Sequence, residues 1–228
     1  MKKVIILALA AILAVPGLAQ ESDYNAVYTS SSGKVSFDVI DHIGYGYHFV
    51  KSDDFKPAWS DEFFLNMFKI GLYPVENLGL ELGLDLQFNT FASKESAFVQ
   101  REGIIHAADF SVLELGSSFD RQRSDFSIFG LGFPVLVKGI FNKFQIGAGA
   151  VASWNITGDT GYNLRKGNRT INIDESKAKV NPFSYGILAT MSYDHIGVYF
   201  KYYPKSSHIL PDGSVNLNYM TLGIVLGL

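Results

Sequence analysis

The chain contains no cysteine. That excludes disulfides, thiolate metal sites, thiol catalysis and a lipid anchor built on cysteine. It contains no apolar run of the roughly 20 residues that a membrane-crossing helix needs. Charges or glycines interrupt each apolar stretch well short of that. It has no basic excess either, with 19 Lys and Arg against 22 Asp and Glu. Phosphate backbones need a basic field, so nucleic acid is excluded as a partner. No His or acid cluster has metal-ligand spacing. The Gly-x-Gly pairs Gly44/Gly46, Gly130/Gly132 and Gly147/Gly149 do not open a helix after a strand, as a nucleotide loop requires. The sequence therefore implies no cofactor, no metal and no catalytic set.

What is present begins with an export signal. Met1-Lys2-Lys3 is a short positive region, Val4 to Val15 is apolar, and Pro16 to Ala19 carries small residues where a signal peptidase reads. Residues 1–19 are expected to be removed after Ala19, leaving 209 of the 228 residues. Lys2 and Lys3 go with them, so 17 Lys and Arg face 22 Asp and Glu, a formal charge of −5. The remainder is rich in aromatics (18 Phe, 12 Tyr and 2 Trp) and holds 22 Gly, which suits strands and turns.

The clearest element is Leu78 to Phe88, LGLELGLDLQF. Leu78, Leu80, Leu82, Leu84, Leu86 and Phe88 alternate with Gly79, Glu81, Gly83, Asp85 and Gln87. A period of two is a β-strand with one apolar and one polar face. Residues 20–34 read as a polar periplasmic lead-in with little structure, and strand-like alternation starts at Val35. Eight strands follow, at about 35–50, 61–73, 78–91, 126–141, 144–156, 183–193, 196–203 and 215–228. In the first, Asp41 breaks the apolar face. In the second, Asn66 falls on the wrong side of a stripe made of Phe64, Phe68, Ile70 and Leu72. The connections alternate between long and short. The long ones are 51–60, 92–125, 157–182 and 204–214; the short ones are 74–77, 142–143 and 194–195.

This pattern fits an all-β, eight-stranded antiparallel up-and-down transmembrane β-barrel, with short periplasmic turns and long extracellular loops. Aromatics flank the apolar stripe, with Tyr45, Tyr47, Trp154 and Tyr202 toward the long loops and Phe141, Phe144 and Tyr193 near the short turns. Strands of nine or more residues are long enough to cross hydrocarbon when tilted. The domain organisation is then a signal peptide (1–19), a lead-in (20–34) and a barrel (35–228).

The final octapeptide, TLGIVLGL, resembles the C-terminal signal read by the outer-membrane assembly machinery, with Thr221, Gly223, Leu226 and Leu228 in its positions. The hairpin FGLGFPVLVKGIF (Phe129 to Phe141) with IGAGA (Ile146 to Ala150) is similar to the small outer-membrane β-barrel family common in Bacteroidetes, the PorT-like outer membrane protein beta-barrel domain. As a pattern, the resemblance spans about residues 35 to 228. It implies an eight-stranded membrane barrel whose relatives mostly have no assigned activity. No motif here carries over a role in secretion.

Three constellations bear on function. Asp38, His42, Lys69, Glu81, Asp85, Lys138 and Lys201 share the face opposite the apolar stripe. In a barrel this narrow the lumen is filled by side chains. Glu81 and Asp85 are expected to pair there with Lys69, Lys138 and Lys201, because an unpaired buried charge is costly. Second, Asp38 with His42, and His106 with Asp109 and Ser111, raise a lipid-modifying enzyme as a rival reading, since acyl chemistry needs a Ser-His-acid set. Third, Arg165, Lys166, Arg169, Lys177 and Lys179 make residues 157–182 locally basic on an acidic protein. That loop suits the phosphates of lipopolysaccharide, or an unidentified surface protein or glycan. The expected function is a non-enzymatic outer-membrane barrel, structural or surface-binding through its loops, with a lipid-modifying enzyme and a narrow or secretion-associated channel as alternatives. Expected partners are outer-membrane lipid, lipopolysaccharide and the assembly machinery.

Overall fold

The computed structural model describes residues 26–30, 33–110, 121–167, 169–204, 207 and 209–227. The expected signal peptide, residues 1–19, and Leu228 lie outside these residues. The strands are β1 (Ala26–Ser30), β2 (Gly33–Val39), β3 (His42–Lys51), β4 (Asp61–Val75), β5 (Leu78–Ser93), β6 (Ser96–Arg101) and β7 (Ile104–Asp109). They continue with β8 (Arg121–Phe141), β9 (Phe144–Lys166), β10 (Arg169–Ala178), β11 (Phe183–Tyr193), β12 (Ile196–Tyr203) and β13 (Asn218–Gly227).

Eight of them close a ring. β3, β4, β5, β8, β9, β11, β12 and β13 each pair antiparallel with the next, and β13 pairs back onto β3. The ring is an up-and-down barrel with no free edge of its own. One end carries the tight turns at Glu76–Asn77, Asn142–Lys143 and Asp194–His195. Asn142 and Asp194 have φ of 57° and 55°, the left-handed backbone that a two-residue hairpin requires.

Alternation sets the outer surface. Along β11, the exposed Phe183, Tyr185, Ile187, Ala189, Met191 and Tyr193 alternate with inward Ser184, Gly186 and Leu188. Around the ring, Tyr45, Phe49, Val135, Val137, Ile146, Val198, Phe200, Leu222 and Ile224 also face outward. A continuous apolar surface of this kind exceeds what a water-soluble monomer exposes and matches hydrocarbon. This is a membrane-spanning barrel. Trp59, outside the aromatics expected from the sequence, adds to the long-loop rim, with its ring 4.9 Å from Tyr47.

Two irregularities explain where the sequence pattern blurs. Met67 is an extra residue in β4, between the Asn66–Asp85 and Phe68–Leu84 pairs. A one-residue bulge exchanges the two faces. Before it, Glu62, Phe64 and Asn66 point inward; after it, Lys69 and Gly71 do. Phe64 therefore belongs to the interior and not, as expected, to the outer stripe. Opposite this bulge, Ile40 has φ of 52° and donates its N–H to Met67 O, which divides the expected first strand into β2 and β3. Asp41 is turned inward by the same kink. In β9, Ile156 is a second extra residue.

The connecting segments carry regular structure of their own. Ala26–Ser30, in the expected lead-in, pairs with β2. Within 92–125, β6 and β7 form a hairpin and β8 begins at Arg121; residues 111–120 lie outside those described. Within 157–182, β9 and β10 continue as a hairpin beyond the ring. The β6–β7 hairpin is tied over the barrel mouth: Phe98 N–H donates to Ser124 Oγ at 2.9 Å, Val215 N–H to Ile105 O at 2.9 Å and Lys179 N–H to Gly103 O at 2.7 Å.

The interior has two storeys. Toward the long loops, Phe55, Phe91, Phe98, Ile105, Phe126, Tyr203, Ile209, Leu210, Val215 and Tyr219 form an apolar core. Phe91 is the hub, with ring centroids 4.8 Å from His48, 4.9 Å from Phe126 and 4.9 Å from Tyr219. Toward the short turns, the inward side chains are polar and charged.

Candidate functional site

The polar storey is built by cross-strand register. Asp38 lies directly opposite Lys69 in the β2–β4 pair. Lys69 Nζ is 3.4 Å from Asp38 Oδ2 and 2.8 Å from Asp41 Oδ1, and Asp41 Oδ2 lies 2.6 Å from His42 Nδ1. Lys138 Nζ donates to Glu81 Oε2 at 2.9 Å, and Tyr73 OH donates to Glu81 Oε1 at 2.5 Å. Deeper in, Lys201 Nζ donates to Glu62 Oε1 at 2.5 Å, both groups essentially sealed from solvent. Tyr199 OH donates to Glu62 Oε2 at 3.1 Å. The Lys201 ammonium also sits 4.4 Å from the centroid of the Phe64 ring, a cation–π contact.

The partners differ from those expected. Of the pairings proposed for Glu81 and Asp85, only Glu81–Lys138 occurs among the described ion pairs. Lys69 goes to Asp41 and Asp38, and Lys201 goes to Glu62. Asp85 receives a hydrogen bond from Asn66 Nδ2 at 2.8 Å, and no described cation forms an ion pair with it. Glu62 and Asp41 were not readable as lumenal because the bulge at Met67 and the kink at Ile40 change the phase of their strands.

Between the aromatic core and the short turns lies a cavity of about 450 Å³, with Asn142, Lys143, Asp194 and His195 at its rim. Among the described residues no group of three or more His, Asp or Glu could hold a metal ion. His106 and Asp109 lie on β7, an odd number of residues apart and thus on opposite faces; Ser111 lies outside the described residues. Asp38 and His42 flank the kink, each directed to Asp41 or its partner Lys69.

The residues of the basic segment lie on β9, on β10 and just beyond it. Arg165 is exposed in β9, opposite Arg121 of β8 on one side and Thr170 of β10 on the other. Lys166 pairs in register with Arg169 at the hairpin end. Lys177 falls at the irregularity between Ser176 and Ala178, and the exposed Lys179 lies beside Gly103 of the β6–β7 turn. Arg123 of β8, opposite Asn163 and outside the expected loop patch, is a further basic residue at this end. Arg123 Nη2 donates to the Trp59 carbonyl at 3.2 Å.

In the C-terminal strand, Thr221 is fully buried and its Oγ1 shares a 2.7 Å hydrogen bond with His48 Nδ1. Gly223 lies beneath the Tyr199 ring, Leu226 faces outward, and Leu228 lies outside the described residues.

No family model and no curated protein matches the chain. Among solved structures it is similar to Ail, the attachment invasion locus protein of Yersinia pestis, at 14% identity over 86% of this chain and 99% of that one, with a TM-score of 0.36. A second structure of Ail, in complex with the heparin analogue sucrose octasulfate, aligns at 13% identity over 86% and 99%, with a TM-score of 0.37. Neisserial surface protein A aligns at 11% identity over 82% and 95%, with a TM-score of 0.32. The fold of the present chain rests on its own strand pairing: a closed, eight-stranded, membrane-spanning barrel.

Proposed function

We propose that this chain is an integral outer-membrane protein of a Gram-negative cell envelope, non-enzymatic, with its short turns in the periplasm and its long-loop end outside, acting as a structural or surface-binding barrel. The observation that carries this reading is the ring's outward apolar belt. Fractionation followed by gel migration with and without heating tests it. The folded protein is expected in the outer-membrane fraction, with a heat-dependent shift in mobility. A mature chain that is monomeric in water without detergent overturns it.

Two supporting readings follow. The lumen acts as a plug, because packed rings stop the storey toward the long loops; planar-bilayer recordings are expected to show no steady openings. At the outer end, Arg123 and Arg165 are suited to lipopolysaccharide phosphates, since Arg123 stands beside the rim residue Trp59. Replacing Arg123 and Arg165 with Gln is expected to weaken lipopolysaccharide retention, and unchanged retention removes this partner. Thr221, Gly223, Leu226 and Leu228 are assigned to recognition by the assembly machinery, and residues 1–19 to export. Membership of the Bacteroidetes barrel family rests on the hairpin Phe129 to Ala150.

A further inference from the structure

The cavity of the polar storey has an inner end whose acceptors exceed its donors. Each lysine that lines it already holds a carboxylate: Lys69 holds Asp41, Lys138 holds Glu81, Lys143 holds Asp194 and Lys201 holds Glu62. Asp85, only 3% exposed, has no such partner among the described residues. Its neighbour Asn66, 1% exposed, spends its Nδ2 on Asp85 and leaves its own Oδ1 without a donor. Both residues line the cavity. An amide oxygen without a donor, beside a carboxylate that no described ion pair offsets, carries a desolvation cost that an entering cationic donor relieves. The cavity wall also carries the apolar side chains of Pro134, Leu136 and Leu188.

We propose that this cavity is a binding site for a small organic cation. A primary ammonium head donates to the Asp85 carboxylate and Asn66 Oδ1, and a short aliphatic body lies against Leu136 and Leu188. The volume of about 450 Å³ is within the range of small-molecule sites. The charge balance has the right sign, since Asp85 is the carboxylate left over once the lining lysines are paired. Entry is from the short-turn mouth, because the aromatic core stops the other end. This site is independent of any partner at the outer loops.

The test is a titration of butylammonium into the full mature barrel in detergent micelles, followed by calorimetry and by amide NMR shifts of Gly83 and Thr190, which both line the cavity. Butylammonium is expected to saturate, and butanol of the same shape is not. Asp85→Asn is expected to weaken binding at least tenfold, whereas Asp194→Asn at the rim changes it less than twofold. Heat-modifiable migration checks that both variants fold. If Asp85→Asn does not fold, the contrast between butylammonium and butanol on the unaltered chain decides. Absence of saturation, equal binding of butanol, unchanged binding by a folded Asp85→Asn, or the same shifts from sodium chloride alone each overturns the proposal.

Discussion

The ring of Tyr199 rests on Gly223. A Cβ added to Gly223 would collide with that ring and stand 2.5 Å from the Tyr45 carbonyl oxygen. Gly46 is the register partner of Gly223, and a Cβ there would meet the Tyr199 hydroxyl and stand 2.8 Å from Thr221 Cγ2. The two glycines make the floor that lets Tyr199 reach Glu62. Overpacking of a tight interior costs about 1–3 kcal/mol. Gly223→Val is therefore expected to lower the urea midpoint of the barrel in detergent by at least that equivalent. Unchanged unfolding would show that the floor yields freely.

The Glu62–Lys201 pair gives a second prediction. Removing one partner of a buried ion pair costs about 3–5 kcal/mol, because the other charge is left alone. Lys201→Met is expected to destabilise by that order. The double variant Glu62→Met with Lys201→Met is expected to recover much of the loss, since apolar replacement of both partners avoids the orphaned charge. A double-mutant cycle in denaturant measures the coupling; strictly additive losses refute it.

Much of the ring was legible in the sequence. Strand β11 alternates an outward face against lipid with inward residues that, Leu188 apart, are small or polar, so its limits follow from period alone. The polar storey was legible only in part. Met67 shifts β4 by one residue, and from then on parity counted from Lys69 assigns Glu62 to the wrong face. The aromatic storey was illegible for another reason. Near the loops both faces carry aromatic rings, as with inward Tyr199 and Tyr203 and outward Phe200 and Tyr202, so ring type carries no signal about which one turns in. Phe98 and Ile105, brought over the mouth by a hairpin, have no periodic signature at all.

The aromatic storey gives a third prediction. Phe91 is fully buried and touches three rings. Truncating a buried Phe costs about 3–5 kcal/mol. Phe91→Ala is expected to destabilise the barrel by that order. Wild-type stability in denaturant would show the cluster to be loosely packed.

Lipid contact gives a fourth. A lysine placed at the middle of a barrel's outer belt costs about 2–4 kcal/mol, falling to about 0–1 near the interface. Leu222, exposed midway along β13, and Tyr193, exposed beside the Asp194–His195 turn, sample the two depths. Leu222→Lys is expected to lose much more stability in lipid vesicles than Tyr193→Lys. Equal small losses at both positions would place neither in hydrocarbon.

The seam of the ring joins Asn218 to Lys51 and Gly227 to His42. Ring closure thus waits on β13, and a nascent polypeptide halted before Asn218 has two bare hydrogen-bonding margins. Such margins recruit strands from other molecules. Ribosomal stalling or proteolytic clipping in that interval should consequently yield tangled multimers instead of smaller barrels.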